Sequence, residues 1–345
     1  MTGDSLSTLR DTFGFRVIFK IGPTRLLRAI TVVAVLGAFV GWLGHWGWNV
    51  AAIGQDSWNY LGAGERLNAG HSIYSLAAGD RPIEIVAPST VALVSPPLIA
   101  VLWRPLALLP DWFAMWAWWA AGAAAMLATT LWIVLKGRWQ VVVMVFALAT
   151  IIGECAVSGN LNSFLAPALA LSWWATQAGR PRVAGWLTAL GAVLKIGPAA
   201  ILLWLAVRRE GQAVVAFAIG AVGLAAISLL GAGIQQHLDF LSVARGSADV
   251  AGWGASLPGL LRQLNAPQLV LELCIPAVWL VGAALIWSLR RRPALSFVVA
   301  VVLVIWGTPV VHMTAVALLL ATAAPLTPAP GWLGRRPARP APQAV

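Results

Sequence analysis

Long apolar runs separated by short polar segments make up most of the chain. The longest runs cover Ala29 to Trp48 and then 112–135, 140–157, 161–178, 211–233 and 267–289, and two shorter ones follow at 294–307 and 310–324. A helix needs roughly 20 apolar residues to cross the hydrocarbon core of a bilayer, and its backbone polar groups must pair within the helix. The pattern therefore predicts an all-α, polytopic integral membrane protein.

Composition supports this fold class. Of the 345 residues, 60% are hydrophobic and only 10% are charged, and the mean hydropathy is +0.82. A water-soluble domain carries about 25% charged residues. We therefore exclude a soluble globular protein.

The first apolar run follows a basic segment, 1–28, that contains Arg10, Arg16, Lys20, Arg25 and Arg28. A signal peptide also begins with bases, but its apolar core is shorter and ends at small residues. This run ends instead in Trp42, Trp46 and Trp48, which suit the aromatic belt of a membrane interface. We expect an uncleaved signal anchor with a cytoplasmic N-terminus.

The net charge of +11 has an uneven distribution along the predicted topology. With the N-terminus inside, the inner segments hold 17 of the 23 bases but only three of the 12 acids. The positive-inside rule explains this asymmetry, and anionic inner-leaflet lipid rather than nucleic acid is the expected partner. The predicted organisation is a multi-span domain over 29–324 and a disordered cytoplasmic tail over 325–345, rich in Pro, Arg and Ala.

The segment between Arg182 and Arg208 is long enough for one crossing, which would place Arg208 outside. It is interrupted by Lys195-Ile196-Gly197-Pro198, and proline disfavours a continuous helix. Two half-helices, 183–194 and 198–207, that fold back to the inner side satisfy the charges; a kinked single span is the alternative. The hairpin places Lys195 at membrane depth, where an ionisable residue suggests a functional site.

The unusual polar residues collect on the outer side, mainly in the long segments 49–111 and 234–266. Asp56 begins a predicted short helix, 56–69, which Gly70 ends. This carboxylate is either a proton acceptor near the membrane or simply the cap of that helix. Two outer turns contain Asn160 with Asn162, and His312.

Several chemistries lack their sequence signals. Cys155 and Cys274 are far apart and lie in or beside apolar runs, so neither a disulfide nor a metal cage is expected. No phosphate-binding glycine loop and no Gly-x-Ser-x-Gly elbow is present. The outer segments contain no Asp-x-Asp pair for a divalent metal with a nucleotide sugar. We expect no cofactor and no metal.

A series of short motifs resembles a known family of membrane enzymes. In order they are Asp56, Leu67-Asn68-Ala69-Gly70 before Ile73-Tyr74, Ser95-Pro96-Pro97-Leu98, Gly159-x-x-Asn162, Leu187-x-x-Leu190-Gly191-x-x-x-Leu194-Lys195-x-x-Pro198, and Pro309-x-x-His312. Over roughly 50–320 the chain is similar to the polyprenyl-phosphate-mannose-dependent mannosyltransferases of glycosyltransferase family 87. The resemblance implies the helical bundle of the C-type glycosyltransferase superfamily, with re-entrant or broken helices.

The resemblance also implies an activity and roles for individual residues. A hexose, with mannose as the first candidate, would pass in one inverting displacement from a polyprenyl phosphate to a lipid-linked or envelope glycan, on the outer face of the cell membrane. Asp56 would be the catalytic base and His312 a second catalytic group. The donor phosphate would be bound by Lys195, Arg245 and Arg262. The acceptor or the sugar would be bound by Asn160, Asn162, Tyr60 and Trp253.

Three alternatives remain open from the sequence. A transporter or lipid flippase also uses broken helices and charges at membrane depth. Another transferase could take a different lipid-borne sugar, such as arabinofuranose. An inactive relative could serve as a membrane scaffold.

Overall fold

The structure is a computed structural model that describes residues 22–47, 54–75, 93–247 and 256–334. Within these ranges the regular elements are α-helices and short 3-10 segments. The α-helices are α1 (Pro23–Gly47), α2 (Gln55–Asn68), α3 (Leu98–Trp103), α4 (Asp111–Lys136), α5 (Trp139–Ala147), α6 (Ala149–Val157), α7 (Asn162–Gln177), α8 (Pro181–Leu194), α9 (Ala199–Val207), α10 (Gly211–Ser247), α11 (Leu257–Gln263), α12 (Gln268–Ser288), α13 (Pro293–Trp306) and α14 (Met313–Val316). The 3-10 segments are Leu106–Leu108, Ala317–Leu326 and Gly331–Leu333.

Four of the described helices, α1, α4, α10 and α12, are long and apolar enough to cross a membrane. The pair α5 and α6 becomes a fifth candidate if its two helices form one broken span. The all-α, polytopic membrane fold predicted from the apolar runs is confirmed. In α10, the helical dihedral angles are broken at Gly233, the residue at which the predicted run ends.

The run predicted as one span over 140–157 is two helices that meet at Leu148 with a bend of 58°. The second of these helices, α6, packs closely on α1. A β-carbon at Gly153 would lie 2.9 Å from the backbone of Ala38 and Phe39. The bend thus directs α6 along α1, a contact that hydrophobicity alone does not encode.

Helix α7, predicted as a span over 161–178, is shorter than a lipid-exposed crossing and lies inside the protein. Most of its side chains are buried, including both Trp173 and Trp174. Trp173 packs against Trp204 of α9 and Phe297 of α13, with ring centroids 5.5 and 5.2 Å away. Because protein surrounds it, α7 forms the core of the bundle and is not a lipid-facing span.

The interrupted segment between Arg182 and Arg208 forms the hairpin of half-helices. A β-carbon at Gly185 would meet the backbone of Ala213, and one at Gly220 would lie 3.0 Å from Ala189. Helices α8 and α10 therefore run in the same direction and start at the same end of the bundle. Because α9 connects them in the chain, it must run back in the opposite direction. Lys195, with extended backbone (φ −157°, ψ 111°), lies at the hairpin tip.

The bundle has two chemically different ends. At the basic end, Arg28 donates to the carbonyl of Gly137 at 2.9 Å, and the indole of Trp204 donates to Pro293 at 3.3 Å. Arginine-containing turns at 180–182, 208–209 and 290–292 belong to the same end. At the opposite end, which we call the site end, the C-terminal ends of α6, α8 and α13 meet the start of α2.

Residues 325–334 are packed, which corrects the prediction that a disordered tail begins at residue 325. The indole of Trp132 donates to the carbonyl of Pro328 at 3.1 Å, and that of Trp174 donates to Thr327 Oγ1 at 3.2 Å. Leu333 is buried. Indole N–H groups in an apolar interior need acceptors, and this segment supplies them. Residues 335–345 lie outside the described part of the chain.

The packing of α2 on α3 yields a stability prediction. A β-carbon at Gly64 would lie 2.8 Å from the carbonyl oxygen of buried Trp103, whereas one at Gly62 would meet nothing within 4 Å. We expect Gly64→Ala to destabilise the purified protein by about 1–3 kcal/mol, because backbone must move to admit the methyl group. Gly62→Ala is the matched control, since alanine favours a helix by up to about 1 kcal/mol. Thermal unfolding in detergent measures both, and equal melting temperatures for the two variants would refute this packing.

Candidate active site

A cavity of about 390 Å³ opens at the site end of the bundle. Its polar lining comes from five parts of the chain and consists of Asp56, Asn59, Tyr60, Ser95, Asn160, Lys195, Thr308 and His312. Its apolar lining includes Leu93, Val94, Ile196, Phe240, Ile275 and Trp279. The cavity thus combines ionisable side chains with a hydrophobic surface, which we call the apolar wall.

Asp56 is the second residue of α2, and its side chain does not cap this helix. The cap position belongs to Gly54, which has a left-handed φ of 70°, and no side chain caps the helix. The start of α2 is held instead by backbone bonds, from Gly54 N–H to the carbonyl of Val157 and from Asp56 N–H to that of Ser158, both 3.2 Å. The Asp56 carboxylate is therefore free of a capping role and faces the cavity.

The Asp56 carboxylate accepts a hydrogen bond of 2.7 Å from Nδ2 of Asn160. Burial raises the pKa of this carboxyl above its ordinary value, while the Asn160 hydrogen bond and the positive charges of His312 and Lys195 oppose the rise. A raised pKa makes a carboxylate a better proton acceptor, provided that it is ionised at the working pH. Asp56 consequently has the environment of a general base.

Lys195 reaches the same cavity from the tip of the α8–α9 hairpin. Its Nζ donates to Oδ1 of Asn162 at 3.0 Å, and Asn162 is fully buried. The amide of Asn162 in turn lies 3.4 Å from Oγ1 of Thr314. An amine held by one acceptor keeps its other N–H groups for a ligand in the cavity.

His312 lies in the extended segment between α13 and α14 and is half-buried against the cavity. Burial lowers the pKa of its imidazole, while the nearby Asp56 opposes this change. The ring therefore loses its charge at a lower pH than a free histidine and still donates one N–H when neutral. Asp56, Lys195 and His312 form one cluster of ionisable side chains in the cavity.

The other predicted site residues divide into three groups. Tyr60 lines the cavity, and its buried hydroxyl accepts from Leu161 N–H at 3.4 Å. Arg262 lies in α11 and is not among the described residues that line the cavity. The side chain of Arg245 and all of Trp253 lie outside the described part of the chain.

Several lining residues were missed by the sequence reasoning because they are hidden in apolar runs. Ile275 and Trp279 are four positions apart in α12, and the Trp279 indole donates to the carbonyl of Gly307 at 2.8 Å. A tryptophan in the interior of a predicted span signals such a polar contact, since its N–H needs an acceptor. Nothing in the sequence distinguished Asn59 or Phe240.

Comparison with known proteins adds an independent result. The model of glycosyltransferase family 87 matches residues 94–311, which is more than half of the chain. The matched region contains Asn160, Asn162 and Lys195; it begins after Asp56 and ends one residue before His312. No curated protein and no solved structure matches the chain. The family match and the charged cavity of an all-helical membrane bundle agree: the chain belongs to glycosyltransferase family 87.

Proposed function

We propose that this glycosyltransferase moves a hexose, with mannose as the first candidate, from a polyprenyl phosphate to a hydroxyl of a lipid-linked or envelope glycan. The observation that carries the proposal is the cavity itself, where one carboxylate faces two basic side chains beside an apolar wall. Asp56 is the base, and Lys195 and His312 bind the phosphate. Family membership favours transfer over the transporter alternative, which uses no sugar chemistry.

The proposed step is a single displacement at the anomeric carbon. The acceptor oxygen forms a bond to this carbon while the bond from carbon to phosphate oxygen breaks, and Asp56 takes the acceptor proton. The phosphodiester donor carries one negative charge, and the departing phosphate monoester gains a second. Preorganised donors at the place where charge develops are the usual means of stabilising such a transition state, which is the role of Lys195 and His312.

The apolar wall supports a lipid donor. Ile275 and Trp279 belong to α12, one of the four helices able to cross a membrane. Ile196, beside Lys195 at the hairpin tip, lines the cavity and is 54% exposed. A phosphate at Lys195 would therefore lie next to surface that suits an isoprenoid chain, because apolar groups prefer apolar surroundings to water.

The charge distribution supports an orientation. The arginine-rich turns lie at the end of the bundle opposite Asp56, and bases favour the cytoplasmic side. We infer that the basic end and both termini are cytoplasmic and that the cavity opens on the outer face of the cell membrane. A lipid-borne sugar suits that face, since the sugar reaches it attached to its carrier.

A donor panel tests the proposal. Membranes containing the protein are incubated with polyprenyl-phosphate mannose, polyprenyl-phosphate arabinofuranose or a nucleotide mannose, each with a radiolabelled sugar and a glycolipid acceptor extract. We expect labelled glycolipid from the mannosyl lipid and none from the nucleotide sugar when synthesis of the lipid donor is blocked. Transfer from the arabinosyl lipid alone would replace the sugar in the proposal. Transfer directly from the nucleotide sugar would refute the proposal, and so would a lack of transfer from all three donors.

A further inference from the structure

The turn 158–162 connects the two charged side chains that the reaction needs. Asn160 Nδ2 donates to Oδ2 of Asp56, and Asn160 Oδ1 accepts from the backbone N–H of Asn162, both at 2.7 Å. A backbone N–H can only donate, so the oxygen of the Asn160 amide must face it. The N–H of this amide is therefore fixed toward the carboxylate.

Asn162 makes the equivalent contact with the cation. Its Oδ1 accepts from Lys195 Nζ at 3.0 Å, and its Nδ2 lies 3.4 Å from Thr314 Oγ1. Since the two asparagines are joined by a short backbone-to-side-chain bond, a displacement of one is transmitted to the other. The turn thus couples the position of the base to that of the amine.

We propose that Asn160 and Asn162 are positioning residues of the transfer reaction. Asn160 engages one oxygen of Asp56 and leaves the other for the acceptor hydroxyl, and Asn162 aims the Lys195 amine at the donor phosphate. This inference rests on the proposed function and gives the two asparagines a role other than contact with the sugar.

The Asn160 contact has a pH signature. Its N–H stabilises the ionised carboxylate and so lowers the pKa of Asp56 against the effect of burial. Other titratable groups interact electrostatically with Asp56; they are His312, Lys195, Tyr60, Glu154 and Cys155. All of them remain when Asn160 is replaced. Loss of the N–H therefore raises the pKa of Asp56. The acid limb of the pH–activity profile, where protonation of Asp56 abolishes activity, moves to higher pH.

Asn160→Ser tests this effect, because serine keeps an oxygen for the Asn162 N–H in the turn but is too short to replace the amide donor. We expect its kcat/KM at neutral pH to fall about 10- to 100-fold, as for loss of a hydrogen bond to a charged group. The loss should shrink as the pH rises, because the carboxylate ionises again. Asn160→Asp, which adds a like charge beside Asp56, should shift the acid limb further.

Asn162 variants separate the second role. Asn162→Ser should lower kcat, as removal of the Lys195 amine does but to a smaller extent, and should leave the acid limb in place. Asn162→Asp retains an oxygen for Lys195 and should recover part of this kcat. Asn68→Ser is the control, since Asn68 bonds to Arg104 away from the cavity. Thermal unfolding identifies any variant that does not fold.

An infrared titration gives a readout that needs no sugar transfer. In nanodiscs, the infrared spectrum of Asp56→Asn is subtracted from that of the native protein, which isolates the band of the protonated Asp56 carboxyl. The same subtraction is made for the two proteins that also carry Asn160→Ser. We expect the titration midpoint to move to higher pH when Asn160 is replaced. Identical midpoints and identical pH profiles would overturn the inference while leaving the proposed function intact. If the native protein transfers no sugar but replacement of Asn160 still raises the titration midpoint of Asp56, the proposed function is refuted and the contact between Asn160 and Asp56 is retained.

Discussion

Asp56→Asn is expected to lower kcat for sugar transfer by about 10²–10⁴-fold, the range for loss of a general base. The amide has almost the same shape as the carboxylate but cannot take the acceptor proton. Its oxygen can still accept the Asn160 N–H, and the backbone bonds that hold the start of α2 do not involve the side chain. Transfer from the lipid donor in membranes is the measurement.

The control for this variant is Asp111→Asn, which makes the same chemical change at the exposed start of α4, at the same end of the bundle. Asp111 does not line the cavity. We expect native activity from this control and equal membrane insertion of both variants. Full activity of Asp56→Asn would show that another group accepts the proton.

Lys195→Met is expected to have the second largest effect, a loss of about 10²–10³-fold in kcat, comparable to removal of one group that stabilises transition-state charge. Methionine retains most of the length of the side chain but cannot donate to the departing phosphate. Lys195→Arg keeps the positive charge and should recover part of the activity, limited by the larger head group beside Asn162.

Lys136→Met is the matched control for the lysine series. Lys136 ends α4 at the basic end and lies over the ring of Trp132, 5.7 Å from its centroid. The variant should transfer sugar at the native rate. Equal activity of Lys195→Met and Lys136→Met would refute the assignment of Lys195 to the donor phosphate.

The elements that follow from hydrophobicity were predicted well, and the errors have a common cause. The ends of α4 and α12 agree with the predicted runs, because lipid-facing helices are marked by unbroken apolar sequence. The burial of α7 inside the bundle was not predicted, since an apolar helix inside a bundle has the same composition as one in lipid. The bend at Leu148 and the packed residues 325–334 depend on contacts with distant helices.

Site prediction shows the same division. The polar residues Asp56, Lys195 and His312 were found because ionisable groups beside or within membrane segments are rare and costly. Arg262 was chosen by charge and predicted position alone, and it is not among the described residues that line the cavity. The contacts of Asn160 with Asp56 and of Asn162 with Lys195 cross 104 and 33 residues of chain. No local pattern reports such pairs.

The sequence by itself determined the membrane class, the bounds of α4 and α12 and the interruption at Lys195, because each depends on local hydrophobicity, proline or charge. Tertiary structure decided that Asp56 is not a helix cap and that the hairpin returns between α8 and α10. It also decided which cations share a cavity with the carboxylate. The physical reason is that burial, hydrogen bonding and electrostatic coupling arise only when segments far apart in the chain are brought into contact.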